Sequence, residues 1–497
     1  MKAGTESRFV YEDLPSAGLA YELALELPKE PVLIVCVDDE RAERVATDLR
    51  AFGLKSVALV PGELHTPFED ISADPASTFV RLGVRQKILA GDRPQVIVTS
   101  AAVTQSRWMP ASVFKAASLT IVPGEIVDRD ALTRKLTQCG YQRVSKVEDE
   151  GTFAVRGGIL DIYAPGLSRP VRVDLFGDEI ASIKAFDPGS QRTFDALEGF
   201  VIHPIREVVF DDASVALAQK RLRAMGDAQQ MPSRRVRQTV EEVGQRNYFF
   251  GIESLWPAFY AVTEPVLDAL ADNAFVVLDD PDGIAAELAT RYGRAAHERD
   301  RAVSKYRFAI SMEDHLRPAE EVEAQLRAKA RITTNKLLLV GDTKIETGLE
   351  TWSLLVREIQ ARKEDANRGE ILDPLVETLK RLEADQFHTY VVCQTRGHAE
   401  RMRELLRGRK IDLPLLDALP PAKQLAVTKR TRFAICIAPL GSGFRDRGRK
   451  VAVLADTELL GAEPARLRKT KKKPQSLSTL HELAEGDLVV HADHGIG

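Results

Sequence analysis

Residues 31–37 run Pro-Val-Leu-Ile-Val-Cys-Val, with no polar side chain. A strand with water on one face alternates apolar and polar residues. An unbroken apolar run this short therefore predicts a strand covered on both faces, as in a parallel sheet packed between helices. Val57–Val60 and Gln95–Thr99 are two more such runs, and Leu119–Val122 is a fourth. Between the first two, Glu40–Phe52 has helical spacing. Strands alternating with helices predict an α/β domain on a parallel sheet over the first ~120 residues.

The pattern then changes. Asp128–Gln142 reads as one amphipathic helix, with Leu132 and Leu136 on one face and Gly140 as its stop. From there to about His203 the period is two, which predicts a small β-rich insert. A Gly-Gly turn precedes a strand over Ile159–Tyr163, which Pro165-Gly166 ends. In the next strand, Val171, Val173 and Leu175 share one face, and Arg172, Asp174 and Phe176 the other. Gly177-Asp178 fits a two-residue type II′ turn, and the return strand runs from about Glu179 to Phe186. If the aliphatic triplet faces the core, Arg172 and Phe176 point outward together, the composition of an interface hot spot. The alternative is that Phe176 packs on a neighbouring domain and Arg172 merely pairs with Asp174.

Residues 205–335 return to helical patterns around one strand-like run, Ala274–Asp279. A second α/β unit is expected from Leu337, with strands at Tyr390–Cys393, Phe433–Ile437 and Lys450–Ala455 and a helix over Gly397–Arg407. Arg466–Lys473 has six basic residues in eight and no acidic ones, the pattern of a solvated linker. A chain of 497 residues suggests about three or four domains at ~100–200 residues each. A net charge of −4 does not announce a nucleic-acid binder, so any such contact needs a local patch. Cys36, Cys139, Cys393 and Cys436 are far apart and are expected to be buried free thiols in a reducing compartment. The polar start and the lack of a long apolar run predict a cytoplasmic protein with no membrane partner. The chain ends at Gly497 in mid-pattern, as a fragment would.

Motifs for chemistry are sparse. There is no GxxxxGK[ST] and no Gly-Lys dipeptide. Asp38-Asp39-Glu40 follows a strand as a Walker B box would, but without a phosphate loop Asp38 reads better as a helix N-cap. Gly441-Ser442-Gly443, near Arg445 and Arg447, is expected to be a surface loop rather than a phosphate cradle. His491-Ala492-Asp493-His494 has ligand-like spacing but is expected to be a strand and turn. No catalytic residues stand out, and no metal or cofactor site is expected in this chain.

RGGILDIYAPG followed by PVRVDLFGDEIASIKAFDPGSQRT resembles the module shared by the bacterial excision-repair protein UvrB and the transcription-repair coupling factors of the Mfd type. Three features favour the second family. Where UvrB has a working Walker A loop, this chain has Leu14-Pro15-Ser16-Ala17-Gly18-Leu19, with no lysine for a phosphate and no Ser/Thr to follow it and hold magnesium. FFGIESLWPAFY (Phe249–Tyr260) and EGDLVVHADHGIG (Glu485–Gly497) are similar to coupling-factor stretches. The resemblance implies a UvrB-like degenerate P-loop-type parallel-sheet domain (1–124 and 205–335) split by a β-rich UvrA-binding insert (125–204). A small α/β domain (336–463), a basic linker (464–481) and the start of a CarD-like RNA-polymerase-interacting domain (482–497) follow. It implies UvrA as partner of this chain. RNA polymerase and damaged or duplex DNA are partners of the full-length protein, whose separate motor uses ATP and magnesium. Carried over by residue, the UvrA contacts fall on Arg156, Arg172 and Phe176, with Asp178 and Glu179 as accessory charges and Asp161 as a structural residue. Family members mask this surface with a C-terminal domain, so a chain without one is expected to keep it open.

Two other functions remain open at this stage. One is a UvrB-type ATP-dependent repair helicase. The other is a DNA-binding module using Arg466, Arg468, Lys469, Lys471, Lys472 and Lys473 against phosphates.

Overall fold

The computed structural model describes residues 9–12, 14, 16–63, 65–69, 71, 74–335, 344–345, 348–364, 370–427, 432–460, 490–491 and 495–496. Its first sheet has seven parallel strands in the order 344–345, Phe9–Glu12, Ala330–Asn335, Phe275–Asp279, Val32–Cys36, Val96–Ser100, Val57–Val60. Two of the apolar runs are interior strands, and every residue of Val32–Cys36 and Val96–Ser100 is buried, whereas Val57–Val60 is the edge strand and only its Val60 is buried. Asp38 caps the helix Asp39–Ala51 by accepting a bond from the Arg41 amide.

One expectation fails. Leu119–Ile121 is not in the parallel sheet but pairs antiparallel with Phe200–Ile202. Only Ile121 of the three is buried, so one face is wet, and a parallel core strand needs both faces covered. These two strands form the stem through which the chain leaves for the insert and returns. The insert is a six-stranded sheet that includes Thr152–Arg156, Ile159–Tyr163, Val171–Phe176 and Glu179–Phe186 in sequential antiparallel order. The preceding helix, Arg129–Gln138, is capped by Asp128 and ends sooner than its apolar spacing suggests.

The inner face of the insert, with Phe153, Leu160, Ile162, Val171, Val173 and Ile180, shares one core with the helical segment around Leu255, Trp256, Phe259 and Tyr260. At about 1.5–3 kcal/mol per buried large aliphatic side chain, this face holds the insert to the scaffold. The Tyr260 hydroxyl donates to the Glu207 carbonyl at 2.7 Å and accepts from the Val209 amide at 3.0 Å, which fixes the chain as it leaves the stem strand Phe200–Ile202.

The second α/β unit has a six-stranded sheet, with His388–Cys393 between Val451–Ala455 and Phe433–Ile437. Its expected first strand, at 337–342, lies outside the described residues. The unit packs directly on the first through the aromatic cluster Tyr21, Phe52 and Phe444. All four cysteines are buried free thiols. Among the described residues no helix is long and apolar enough to cross a membrane.

His315 gives the scaffold a pH-sensitive point. It lies against Phe68 and Trp256, with ring centroids 5.3 and 6.0 Å away, and its Nε2 donates to the Ser254 carbonyl at 3.0 Å. Burial pushes its pKa from the ordinary 6.5 down to about 4. As pH falls below 6.5 the unfolded chain takes up a proton that the folded state refuses, so stability is lost across that interval. Burial pushes the Glu207 carboxyl up to about 7, with the opposite sign in the same range. The comparison must therefore be against a His315→Gln variant. Between pH 7 and 5, the unmodified chain is expected to lose about 2 kcal/mol relative to that variant in urea unfolding. Parallel pH profiles would contradict the assignment.

Candidate functional site

The site forms on the outer face of the insert. The Gly157-Gly158 turn is tight: a Cβ on Gly158 would stand 2.8 Å from the Leu175 carbonyl oxygen. At the next hairpin, Phe176 pairs with Glu179 across Gly177-Asp178. Gly177 has φ +64°, and Asp178 is outside the left-handed region, as a type II′ turn requires. An irregularity at Ala181 lets Asp174 pair with Ser182 and Leu175 with Ile180, so Ile180 stays in the core.

Asp161 and Arg172 are direct cross-strand partners. Asp161 is 0% exposed and accepts from Arg172 Nε at 2.7 Å, from the same guanidinium's Nη2 at 2.9 Å and from Arg156 at 2.5 Å. Arg172 also donates to the Gln191 carbonyl and lies 4.9 Å over the Phe186 ring. The bonds it donates to Asp161 hold the Arg172 guanidinium above its ordinary pKa.

The outward placement is therefore half right. Arg172 and Phe176 share the outer face, but the Arg172 side chain is only 17% exposed and is pinned along the sheet. Nor does it pair with Asp174, which bonds Ser182 and faces Lys184. An arginine beside a buried carboxylate gains more from a bidentate bond than from water. Arg156 keeps half its side chain in solvent. Phe176 is 83% exposed, with Asp178 and Glu179 exposed beside it. The face thus offers a rigid, uncovered aromatic, two tip carboxylates, and an ion-paired trio of Asp161, Arg172 and Arg156 whose net positive charge emerges at Arg156.

Two neighbours were missed in the sequence. Exposed Ile126 pairs with Glu179 on the far side of the return strand. Arg129 donates to the Gly157 carbonyl at 3.1 Å and ties the following helix to the first turn. Their signal was weak: an aliphatic residue between Glu125 and the Asp128 cap looks like ordinary turn filling.

The scaffold's nucleotide-like positions are otherwise engaged. The helix Ser16–Leu25 opens where a phosphate loop would stand, with Ala17, Leu19 and Ala20 buried. The Ala17 amide donates to the Ser442 hydroxyl at 3.4 Å. Gly441-Ser442-Gly443 is thus a contact between the two α/β units rather than an open surface loop, and its Gly441 and Gly443 amides donate to Asp48 and Glu458. At the end of the central strand, Asp279 receives Arg41 at 2.5 and 3.2 Å and the Thr334 hydroxyl at 2.6 Å. Asp39 accepts from the Gly62 amide. Arg445 and Arg447 both pair with Glu350. The basic residues of 466–473 and most of the His491–His494 stretch lie outside the described residues. Among the described residues no group of His, Cys, Asp and Glu could hold a metal ion.

The architecture is a parallel α/β scaffold carrying an antiparallel insert rooted in its core. Residues 119–207 match the UvrB interaction domain, and residues 384–459 match the MFD D3 domain. Over 94% of its length the chain is 31% identical to the transcription-repair-coupling factor of Myxococcus xanthus. It is 25% identical to that of Escherichia coli over 97%, and 23% identical to that of Bacillus subtilis over 94%. The chain is similar over nearly its whole length to these transcription-repair-coupling factors, and it spans about 40% of the length of these curated relatives.

Proposed function

We propose that this chain is the UvrA-docking part of a transcription-repair coupling factor, working in the bacterial cytoplasm to bring UvrA to stalled RNA polymerase in transcription-coupled excision repair. The observation that carries this reading is Phe176, uncovered at the tip of a locked hairpin inside the UvrB interaction domain. Arg156 would steer an acidic partner surface while Phe176 is desolvated on contact. Arg172 supports the surface from within, and Asp178 and Glu179 form its charged rim.

The chain is read as a docking scaffold without ATP hydrolysis of its own. The apolar opening of the first helix, Ser442 at its amide end and the Arg41 guanidinium on Asp279 support that reading. In the full-length family ATP and magnesium serve a separate motor, and contacts with RNA polymerase and duplex DNA belong to that larger protein. The test is a pull-down of UvrA by the purified chain with neither ATP nor polymerase present. Capture of UvrA is expected; none would overturn the proposal, and ATP turnover by the chain alone would revive the helicase reading. A steep salt dependence of duplex binding would favour a role for the 466–473 residues.

A further inference from the structure

We infer that Ile126 is a second apolar anchor of this docking surface, set in line with Phe176 across the return strand. The inference rests on the UvrA-docking reading above and adds a residue to it. Ile126 is 76% exposed, in a segment that reads as a connection. Its backbone is nevertheless fixed. The Val127 amide donates to the Asp178 carbonyl at 2.7 Å, and the Ile180 amide donates to the Glu125 carbonyl at 2.9 Å. These bonds flank Ile126 and Glu179, which makes them a non-hydrogen-bonded antiparallel pair, the arrangement that brings two side chains closest on one face. Just beyond, Asp128 caps the next helix by accepting from the Asp130 and Ala131 amides. The exposed isoleucine is held from both sides.

Glu179 is also the closing partner of Phe176. Directly paired residues project to the same side of a sheet, so Phe176, Glu179 and Ile126 form one row over the hairpin's two strands and the segment bridged to them. At two strand spacings, the two apolar residues stand roughly 10 Å apart. Two exposed apolar side chains on rigid backbone, with a carboxylate between them, suit a protein surface with two apolar recesses flanking a basic side chain. The row is continuous with the tip on which Phe176 sits and lies within the UvrB interaction domain, so one partner, UvrA, covers both anchors. Little ordering entropy is left to lose on binding, because the backbone is already fixed.

The experiment titrates UvrA against the purified chain and its Ile126→Ala, Ile126→Thr and Phe176→Ala variants, with melting temperatures recorded in parallel. Threonine keeps the β-branched shape and replaces the longer apolar branch with a hydroxyl. Both Ile126 variants are expected to bind at least about 10-fold more weakly, with unchanged melting temperatures. If Phe176→Ala weakens binding while both Ile126 variants bind as the unmodified chain does, Ile126 is no anchor and the docking reading stands. If the unmodified chain fails to bind UvrA, the docking reading falls and the inference with it.

Discussion

Arg172→Ala is expected to lower the stability of the insert by about 3 kcal/mol, at the lower end of what breaking a buried ion pair costs. The substitution takes two charge-assisted bonds from Asp161, a fully buried carboxylate in a central strand. Arg156 remains as a partner, which keeps the loss from being larger. The stacking on Phe186 and the bond to the Gln191 carbonyl go as well. Domains are stable by only about 5–15 kcal/mol, so a loss of this size shifts a urea midpoint visibly. An Asp161→Ala/Arg172→Ala double variant should recover part of the loss, because no stranded charge remains. A single variant that unfolds at the same urea concentration as the unmodified chain would refute the account. Loss of partner binding in Arg172→Ala would therefore mix a damaged fold with a damaged surface.

Phe176→Ala separates the two. The ring is 83% exposed, so its removal creates no cavity and should leave the melting temperature where it was. If Phe176 is the desolvated centre of the proposed UvrA contact, its truncation should cost about 1–3 kcal/mol, a loss of roughly 10- to 100-fold in affinity. Titration calorimetry with UvrA would read it directly. Unchanged affinity would remove Phe176 from the site and with it the main support for docking through this hairpin.

Much of the site was legible because strands carry a strict period of two. Alternation alone put Val171 and Val173 inside and Arg172 and Phe176 on one outer face, and Gly177-Asp178 gave the turn. What alternation could not give was the fate of the arginine. It names a face, not the neighbour across the strand, and the neighbour is Asp161, eleven residues earlier in the chain. Ile126 was hidden for the same reason: it meets the hairpin through a pairing with Glu179 that no local pattern announces. In the scaffold, the apolar runs at 32–36 and 96–99 revealed strands buried on both faces, while the run at Val57–Val60 is a half-buried edge strand. Ala330–Asn335 went unseen because polar Arg331, Thr333, Thr334 and Asn335 look like a loop, yet it lies beside Phe275–Asp279 in the same sheet. Leu119–Ile121 misled in the other direction, since three apolar-rich residues do not say whether one face or two are covered.

The sequence by itself determined a parallel α/β scaffold, an antiparallel insert with its hairpin turn, and the absence of a phosphate-loop lysine, because hydrophobic period, turn chemistry and missing residue types are local properties. Only the tertiary structure decided that Arg172 is pinned while Phe176 is free, that Ile126 stands in line with Phe176, and that Ser442 from the second unit meets the first helix's amide end. Those facts depend on which distant residues are brought within a few ångströms, and burial and ion pairing act at that range, whatever the separation along the chain.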